Sequence, residues 1–480
     1  MNNHTMMKMF MQGKRMRKGE RLKMNKTNKT KNVMGTKPVF PLLMSMAIPP
    51  MVSMLIQSMY NIVDSIFVAQ LGKDALTAVS LAFPLQNLVL SVAVGLGVGL
   101  NAGIARNMGA GKQDMVDKTA THGMVFTAIH SIMFILIGIF CIKPFFRLFT
   151  DDPTIFKWGC QYTYIVICLS FGSLFHIAIE KMFQATGKMI MPMIMQGVGA
   201  IINIILDPIL IFGLFGFPEM HVQGAAIATV IGQMSACALS VFFFCRDNGG
   251  IHVKFKGFRF NKQITKQLYM VAIPSGIMMS MPSILIGTLN GIISAVSGTA
   301  VAVLGIYFKL QTFVYMPANG VIQGMRPLIS YNYGAGLHHR LRQVIKVSVM
   351  VSGTIMIFGT LLFVGVPKPI LKMFNANGEM MKMGVQTLRI IGLGFIVSSI
   401  GTVYSGVFES LGRGIESLVV SLLRQLIIIV PLSMMLLKPF GLTGVWVTFP
   451  IAETVSAIVA IFLLKRTMKK MSINSIDKLE

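Results

Sequence analysis

Charge is scarce in this chain, at 12% of 480 residues, and acidic charge is scarcest, with 17 Asp and Glu against 43 Lys and Arg. Beside a 54% hydrophobic share and a mean hydropathy of +0.69, so little charge excludes an ordinary water-soluble globular domain. The five cysteines form no CxxC and no Cys/His ligand spacing, which excludes a zinc ribbon or finger. Cys168 and Cys237 read as small core residues, while Cys141 and Cys160 bracket one expected outside loop and could be bridged. No phosphate-binding glycine loop, Ser/His/Asp set on loops or His/Asp/Glu metal spacing occurs, so an enzyme is not expected. The isolated histidines His122, His130 and His176 read as bonded to neighbours rather than catalytic. Residues 1–37 have no apolar stretch of the kind a signal peptide needs.

What is present is base and apolar length. The first 37 residues hold eleven Lys or Arg against Glu20 alone, and read as a disordered cytoplasmic tail lying on anionic lipid. Met24 offers a second initiation point within it. A basic excess can mean nucleic acid. Here it sits in the tail and in short connectors between apolar runs, the pattern of cytoplasmic loops in a membrane protein, so no nucleic-acid partner is expected. Forty methionines are spread along the whole chain and mark no surface.

Apolar segments long enough to cross a bilayer fall at about 42–69, 76–105, 119–142, 160–181, 190–213 and 222–245, then at about 266–296, 300–330, 344–366, 380–407, 414–437 and 442–465. The expected fold is an all-α integral membrane protein of twelve transmembrane helices, with bundles at 38–245 and 266–465, a linker at 246–265 and a short tail at 466–480. Arg246, Lys254, Lys256, Arg259, Lys262 and Lys266 face only Asp247 around that linker, which places it, and with it both termini, in the cytoplasm of a cell whose inner membrane holds the chain.

The two sets are copies at a register near 225 residues. Ala47-Ile48-Pro49 recurs as Ala272-Ile273-Pro274, Leu85-Gln86 as Leu310-Gln311, and Gly95 and Gly99 as Gly320 and Gly324. Asn107, Gly109, Ala110 and Gly111 return as Asn332, Gly334, Ala335 and Gly336, and Lys143-Pro144 as Lys368-Pro369. An even number of spans per copy keeps both copies in one orientation, so a pseudo-twofold axis along the membrane normal should relate them. Two such bundles leave a cleft between them and can rock to expose it to either side. Pro49, Pro84, Pro208, Pro274 and Pro282 lie inside spans and should kink them. The run Gly95, Gly97, Gly99 and Gly103 would let another helix approach closely.

Acids inside the spans are the candidate site. Burying one in hydrocarbon costs roughly 2.5 to 3.5 kcal/mol even on the lenient insertion scale. In INIILDPILIFG, Asn203 and Asp207 are four residues apart and share a helix face, and Pro208 deprives the carbonyl of Ile204 of its helical donor. Together they could seat a cation or a proton, or could serve only as a packing device. Asp64, with Asn61 three residues before it, sits in the first span or at its outer interface. Glu180, followed at once by Lys181, reads equally as a ligand for an organic cation and as half of a surface ion pair. Thr229 would ordinarily bond its own helix. Glu453 lies in the twelfth span and Glu409 near a helix end. Desolvation and a neighbouring like charge both disfavour the ionised form of a carboxylate, so clustered intramembrane acids can load a proton near neutral pH.

The two six-span halves, the Asp64 segment, LDP at 206–208, IEKMFQATG after Ile179 and NYGAG at 332–336 resemble the multidrug and toxic compound extrusion (MATE) family, and within it the MepA-type bacterial efflux branch. The resemblance covers about 38–465. It implies a monomeric antiporter that exports amphipathic organic cations in exchange for H+ or Na+, with no cofactor besides that ion. It also implies a cation site at Asp64, Asn203, Asp207 and Thr229, the first three ligating the metal if the ion is Na+. Glu180 is the candidate for holding the drug. The chain departs from members whose coupling acids lie in the second half, because its seventh and eighth spans contain neither Asp nor Glu. A lipid-linked precursor flippase of a related bundle is the alternative; it would want a basic cleft, against which the intramembrane acids count.

The topology is directly testable. A cysteine put at Lys254 or Lys470 should stay unlabelled by an impermeant reagent in intact cells and react after permeabilisation. Ready labelling from outside would invert the orientation.

Overall fold

The computed structural model describes residues 33–476, which hold helices and turns with no strand. After α1 (Val33–Thr36), the first half comprises α2 (Val39–Gln70), α3 (Lys73–Gly109), α4 (Gln113–Phe149), α5 (Pro153–Cys168), α6 (Phe171–Ala185), α7 (Ile190–Phe212) and α8 (His221–Arg246). The second half comprises α9 (Lys262–Ser294), α10 (Gly298–Gly334), α11 (His338–Gly365), α12 (Pro367–Lys372), α13 (Gly378–Gly392), α14 (Phe395–Ser410) and α15 (Gly414–Leu422), then a π-helical turn (Leu423–Ile427) and α16 (Ile429–Ile476).

The twelve expected spans all appear, two of them broken in ways the sequence did not announce. Among the described residues nine helical stretches are long and apolar enough to cross a bilayer. The pairs α5–α6 and α13–α14 each make one more span, bent by 42° and 50°. The stretch Gly414–Lys469 is 56 residues, roughly 80 Å as a helix, far beyond a hydrocarbon core of about 30 Å. It turns back at Gly441, whose φ of 58° and ψ of −148° are open to glycine and strained for other residues, and so supplies the eleventh and twelfth spans. The helices meanwhile run on through Pro49, Pro84, Pro208, Pro274 and Pro282, so the interruptions fall elsewhere than at the prolines.

Bundles form because each span carries an apolar surface too wide for one neighbour. One core lies within the first half around Phe134, Phe146 and Ile211, and another within the second around Tyr307, Phe363 and Trp446. Two further cores join the halves: Leu43, Met46 and Ala47 pack with Val321, Met325 and Leu328, and Leu96, Leu100 and Ile104 with Ile264 and Leu268. The contact that fixes the join is backbone on backbone. A Cβ on Gly95 would strike the carbonyl of Ala272, and one on Gly99 the carbonyl of Leu268. On the twofold-related side Gly320 and Gly324 lie against α2 at Ala47 and Met46. Gly109 abuts the Tyr331 carbonyl, and Gly334 abuts that of Arg106, a reciprocal pair at the 225-residue register.

All these contacts lie towards one end, where α2 and α9 begin and α3 and α10 finish. Arg106 Nη2 donates to Gln267 Oε1 there at 2.8 Å. Farther along, Ser91 meets Ser280 at 3.2 Å and Gln323 meets Met54 near mid-span. Beyond them Gly287, Gly291, Gly298 and Gly305 face open space. The halves are closed at the connector end and part towards the other.

Two stretches expected as tail or linker carry structure. Met34 is buried, and its carbonyl accepts from Asn332 Nδ2 at 3.2 Å and Arg340 Nε at 3.1 Å, while its side chain would be in van der Waals contact with a Cβ placed on Gly187 of the first half. Val33–Thr36 therefore straps the two halves at the closed end; residues 1–32 lie outside the described residues. The connector docks on α4, with His252 N donating to Asp117 Oδ1 at 3.0 Å and Asn261 N to His122 Nε2 at 2.9 Å. The helix of the twelfth span continues past the expected start of the last tail, to Ile476. All five cysteines, including Cys141 and Cys160, are free.

The seam sets a prediction. Gly334→Ala should destabilise the protein by roughly 1 to 3 kcal/mol, because its methyl meets a backbone carbonyl that no rotamer can move. Gly305→Ala, with nothing nearby, should be neutral or gain up to about 1 kcal/mol of helix propensity. Thermal midpoints of the two purified variants decide it; equal midpoints would dismiss the seam.

Candidate functional site

Three of the four expected cation-site residues come together through one close helix crossing. Gly199 of α7 and Gly232 of α8 face each other, each leaving space that a Cβ would fill against the other's carbonyl. Gly224 packs likewise on the Leu210 carbonyl. With no side chains between the helices on either side, Asn203, bonded to Asp207 on α7, reaches across to Thr229 on α8. Asn203 Nδ2 donates to Asp207 Oδ1 at 3.3 Å and approaches Thr229 Oγ1 at 3.5 Å. Asp207 is fully buried and Asn203 and Thr229 nearly so.

Asp64, the fourth, comes from α2 and lies close enough to Asp207 for their charges to interact directly. Asp207 is bonded to Asn203, as a packing role would have it, but one of its oxygens is left over. Asp64 Oδ1, Asn203 Oδ1 and Asp207 Oδ2 are all buried without a donor. A buried acceptor left unsatisfied costs about 1 to 3 kcal/mol, and more for a charged group, so these oxygens have room for a further donor or a cation. The chemistry of the set is oxygen only: two carboxylates, an amide carbonyl and a hydroxyl, beside the Ile204 carbonyl that Pro208 leaves without its helical donor. Among the described residues no group of three or more His, Cys, Asp or Glu gathers. Two acids with neutral oxygens suit H+ or a monovalent hard cation better than a tightly held divalent ion.

Sequence reasoning missed the aromatic wall. Tyr60 and Tyr162 lie in the field of both Asp64 and Asp207, and Gln86 Nε2 donates to Tyr162 Oη at 3.0 Å. Tyr60, four residues before Asp64, is its companion on the helix face; Asn61 is exposed instead. The polar residues Gln86 and Tyr162 inside apolar spans were the available signal.

Glu180 stands apart from this site, and the surface ion pair is excluded. It is 9% exposed on α6, and Oε1 accepts from Lys181 Nζ at 2.9 Å and Gln184 Nε2 at 2.6 Å. Its electrostatic partners are Lys181 and His176 rather than Asp207. Lys181 reaches it by lying over Gly97, whose missing side chain makes room for the lysine stem. His176 bonds Ser240, and His130 bonds Tyr269.

The second half holds its acids in another manner. Glu409 takes Arg326 Nη2 at 2.5 Å and Ser275 Oγ at 2.6 Å. Glu453 is 3.6 Å from Arg424 Nε of the π-helical turn. Each buried acid of that half therefore has its own guanidinium, while Asp64 and Asp207 have none among the described residues. Its arginine partner sets Glu453 apart from Asp64 and Asp207.

Glu453→Gln should thus leave the half-buried Arg424 unpaired and cost roughly 1 to 3 kcal/mol, which Arg424→Met in the same chain should largely restore. Asp207→Asn should cost nothing comparable, having no counter-ion to strand. Melting of the three variants beside the parent tests this, and an equal loss for Asp207→Asn would contradict the distinction between the halves.

Comparison with known proteins fits this geometry. The chain is 26% identical over 451 residues to the multidrug export protein MepA of Staphylococcus aureus, covering 92% of this chain and 97% of that one. It is 24% identical over 454 residues to a FAD transporter of Shewanella oneidensis, covering 92% and 98%. Its fold matches a multidrug resistance MATE family transporter of the MOP superfamily in an outward-facing conformation, with TM-score 0.83, 24% identity and 91% and 99% coverage. It also matches a MATE crystal structure in the bent conformation, with TM-score 0.85, 23% identity and 91% and 96% coverage. The MatE family model matches residues 49–209 and 274–435, one stretch in each half and together more than half of the chain. With a match in both copies of its duplicated bundle, the chain belongs to the MATE family of multidrug efflux transporters.

Proposed function

We propose that this chain is a cation-coupled antiporter that exports amphipathic organic cations, with H+ or Na+ held at Asp64, Asn203, Asp207 and Thr229. The observation that carries this reading is the set of three buried, donorless oxygens in one bundle of a chain whose halves meet at one end only. With the connector end in the cytoplasm, the cleft opens outward. Parting of the glycine seam, with closure at the far end, would turn it inward. One proton moving down one pH unit releases about 1.4 kcal/mol and 100 mV adds about 2.3 kcal/mol, together enough for a few hundredfold accumulation of a neutral solute; against a monovalent cation exchanged one for one the potential cancels and the pH unit alone gives about tenfold.

An organic cation in the cleft is stabilised more by a carboxylate than by ring faces, which give about 0.5 to 2 kcal/mol each. Glu180 is the acid proposed for that task, lent to the drug when Lys181 turns away. The acids suit a cation better than a phosphate-bearing cargo such as the one named for the Shewanella relative. The same acids disfavour a flippase of pyrophosphate-linked lipids. The proposed protein acts alone, as a monomer in the inner membrane.

Inverted vesicles loaded by an imposed pH gradient or an imposed Na+ gradient, with a fluorescent organic cation as reporter, test the reading. One gradient should drive uptake, and Asp207→Asn or Asp64→Asn should cut it at least tenfold at matched abundance. Glu453→Gln, matched the same way, should retain it, and Glu180→Gln should raise the apparent KM for the cation. Normal gradient-driven uptake by Asp207→Asn would remove the coupling ion from the first half.

A further inference from the structure

At the connector end of the second half, α11 and α16 stand on either side of α14 and leave a groove of about 420 Å³ floored by Tyr404. Its inner rim is basic. Arg342 and Lys346, four residues apart on one face of α11, approach Lys465 of α16, and all three are exposed. None of them forms an ion pair among the described residues. Its wall is apolar. Val349 and Ile461 continue the groove away from the basic rim along the same two helices. Nearby on those helices Met350 is 61% and Phe462 64% exposed, the surface of a span that meets hydrocarbon.

Three cations converging without a counter-charge repel one another, and each is relieved by an anion placed between them. A soluble anion would answer the charge but leave the apolar wall wet. A ligand with an anionic head and a hydrocarbon chain answers both, and a basic pocket between transmembrane helices on the cytoplasmic side is where such head groups are held. We propose that this groove binds an anionic phospholipid of the inner leaflet, with its phosphate among Arg342, Lys346 and Lys465 and an acyl chain laid along Val349 and Ile461. The groove shares no residue with the cation site, so its occupancy is separable from coupling.

The test uses the full chain in vesicles of equal parts phosphatidylglycerol and phosphatidylcholine, followed by native mass spectrometry of the lipid that stays bound on extraction. Phosphatidylglycerol should be retained in preference to phosphatidylcholine. The variant carrying Arg342→Ala, Lys346→Ala and Lys465→Ala should lose that preference by roughly a hundredfold, at about fivefold for each cation removed. Val349→Trp, which fills the wall and keeps every charge, should also lose the lipid, and serves if the triple variant does not fold. A control neutralising Lys256, Arg259 and Lys262 on the connector should behave as the parent, and inorganic phosphate should not displace the lipid. Equal retention of the two lipids, an unchanged triple variant, an unchanged Val349→Trp, loss in the control, or displacement by phosphate would each overturn the proposal.

Discussion

The approach of the two halves rests on glycines whose hydrogen atoms touch backbone carbonyls across the interface. Helices in a bilayer gain little from burying apolar side chains, since lipid is as apolar as leucine, so close packing has to supply the attraction. Gly109 against the Tyr331 carbonyl and Gly334 against that of Arg106 bring the helix axes as near as the main chain allows. The strap at Val33–Thr36 and the Arg106–Gln267 bond are placed by that contact. So is the cleft, because helices pinned at one end and released beyond Gln323 and Ser280 must diverge.

The same device, repeated inside the first half, builds the site. The Gly199–Gly232 crossing brings Thr229 to Asn203, and the packing of α2 against α7 puts Asp207 in the field of Asp64. Duplication gave both halves this scaffold, yet the two handle charge oppositely. The second sets an arginine by each of its two intramembrane acids, at hydrogen-bond distance for Glu409 and 3.6 Å away for Glu453, whose other oxygen is left without a donor. The first leaves one oxygen each of Asp64, Asn203 and Asp207 without a donor and has no cation beside its acids, which is why the proposed ion is placed there.

Much of this was legible in the chain. The twelve spans followed from apolar length, and the repeat from a register held over hundreds of residues. The Asn203–Asp207 face followed from helical spacing. What escaped was what depends on three dimensions. The partners Arg424 and Glu453 lie on different spans, so no local pattern joins them, and Lys181 beside Glu180 looked like surface because sequence adjacency carries no depth. The two broken spans are interrupted at Cys168–Phe171 and Gly392–Phe395, away from the prolines, while the turn at Gly441 falls in the expected gap between the eleventh and twelfth spans. Tyr60 was passed over for Asn61 because asparagine is the more polar; one position along a helix is a turn of 100° about its axis, enough to send Asn61 to the outside.

A contact between a hydrogen atom and a carbonyl has a consequence for how this protein can change. When two side chains meet, a larger one can be answered by a smaller one opposite, and a defect has many possible suppressors. At Gly109 and Gly334 the opposite surface is main chain, identical whatever residue stands there, so no substitution at Tyr331 or Arg106 can make room. Second-site revertants of a seam defect must therefore arise by moving whole helices, and the two copies of the duplicated bundle can diverge in charge, in ligands and in lipid-facing surface while remaining bound to one shared geometry where they touch.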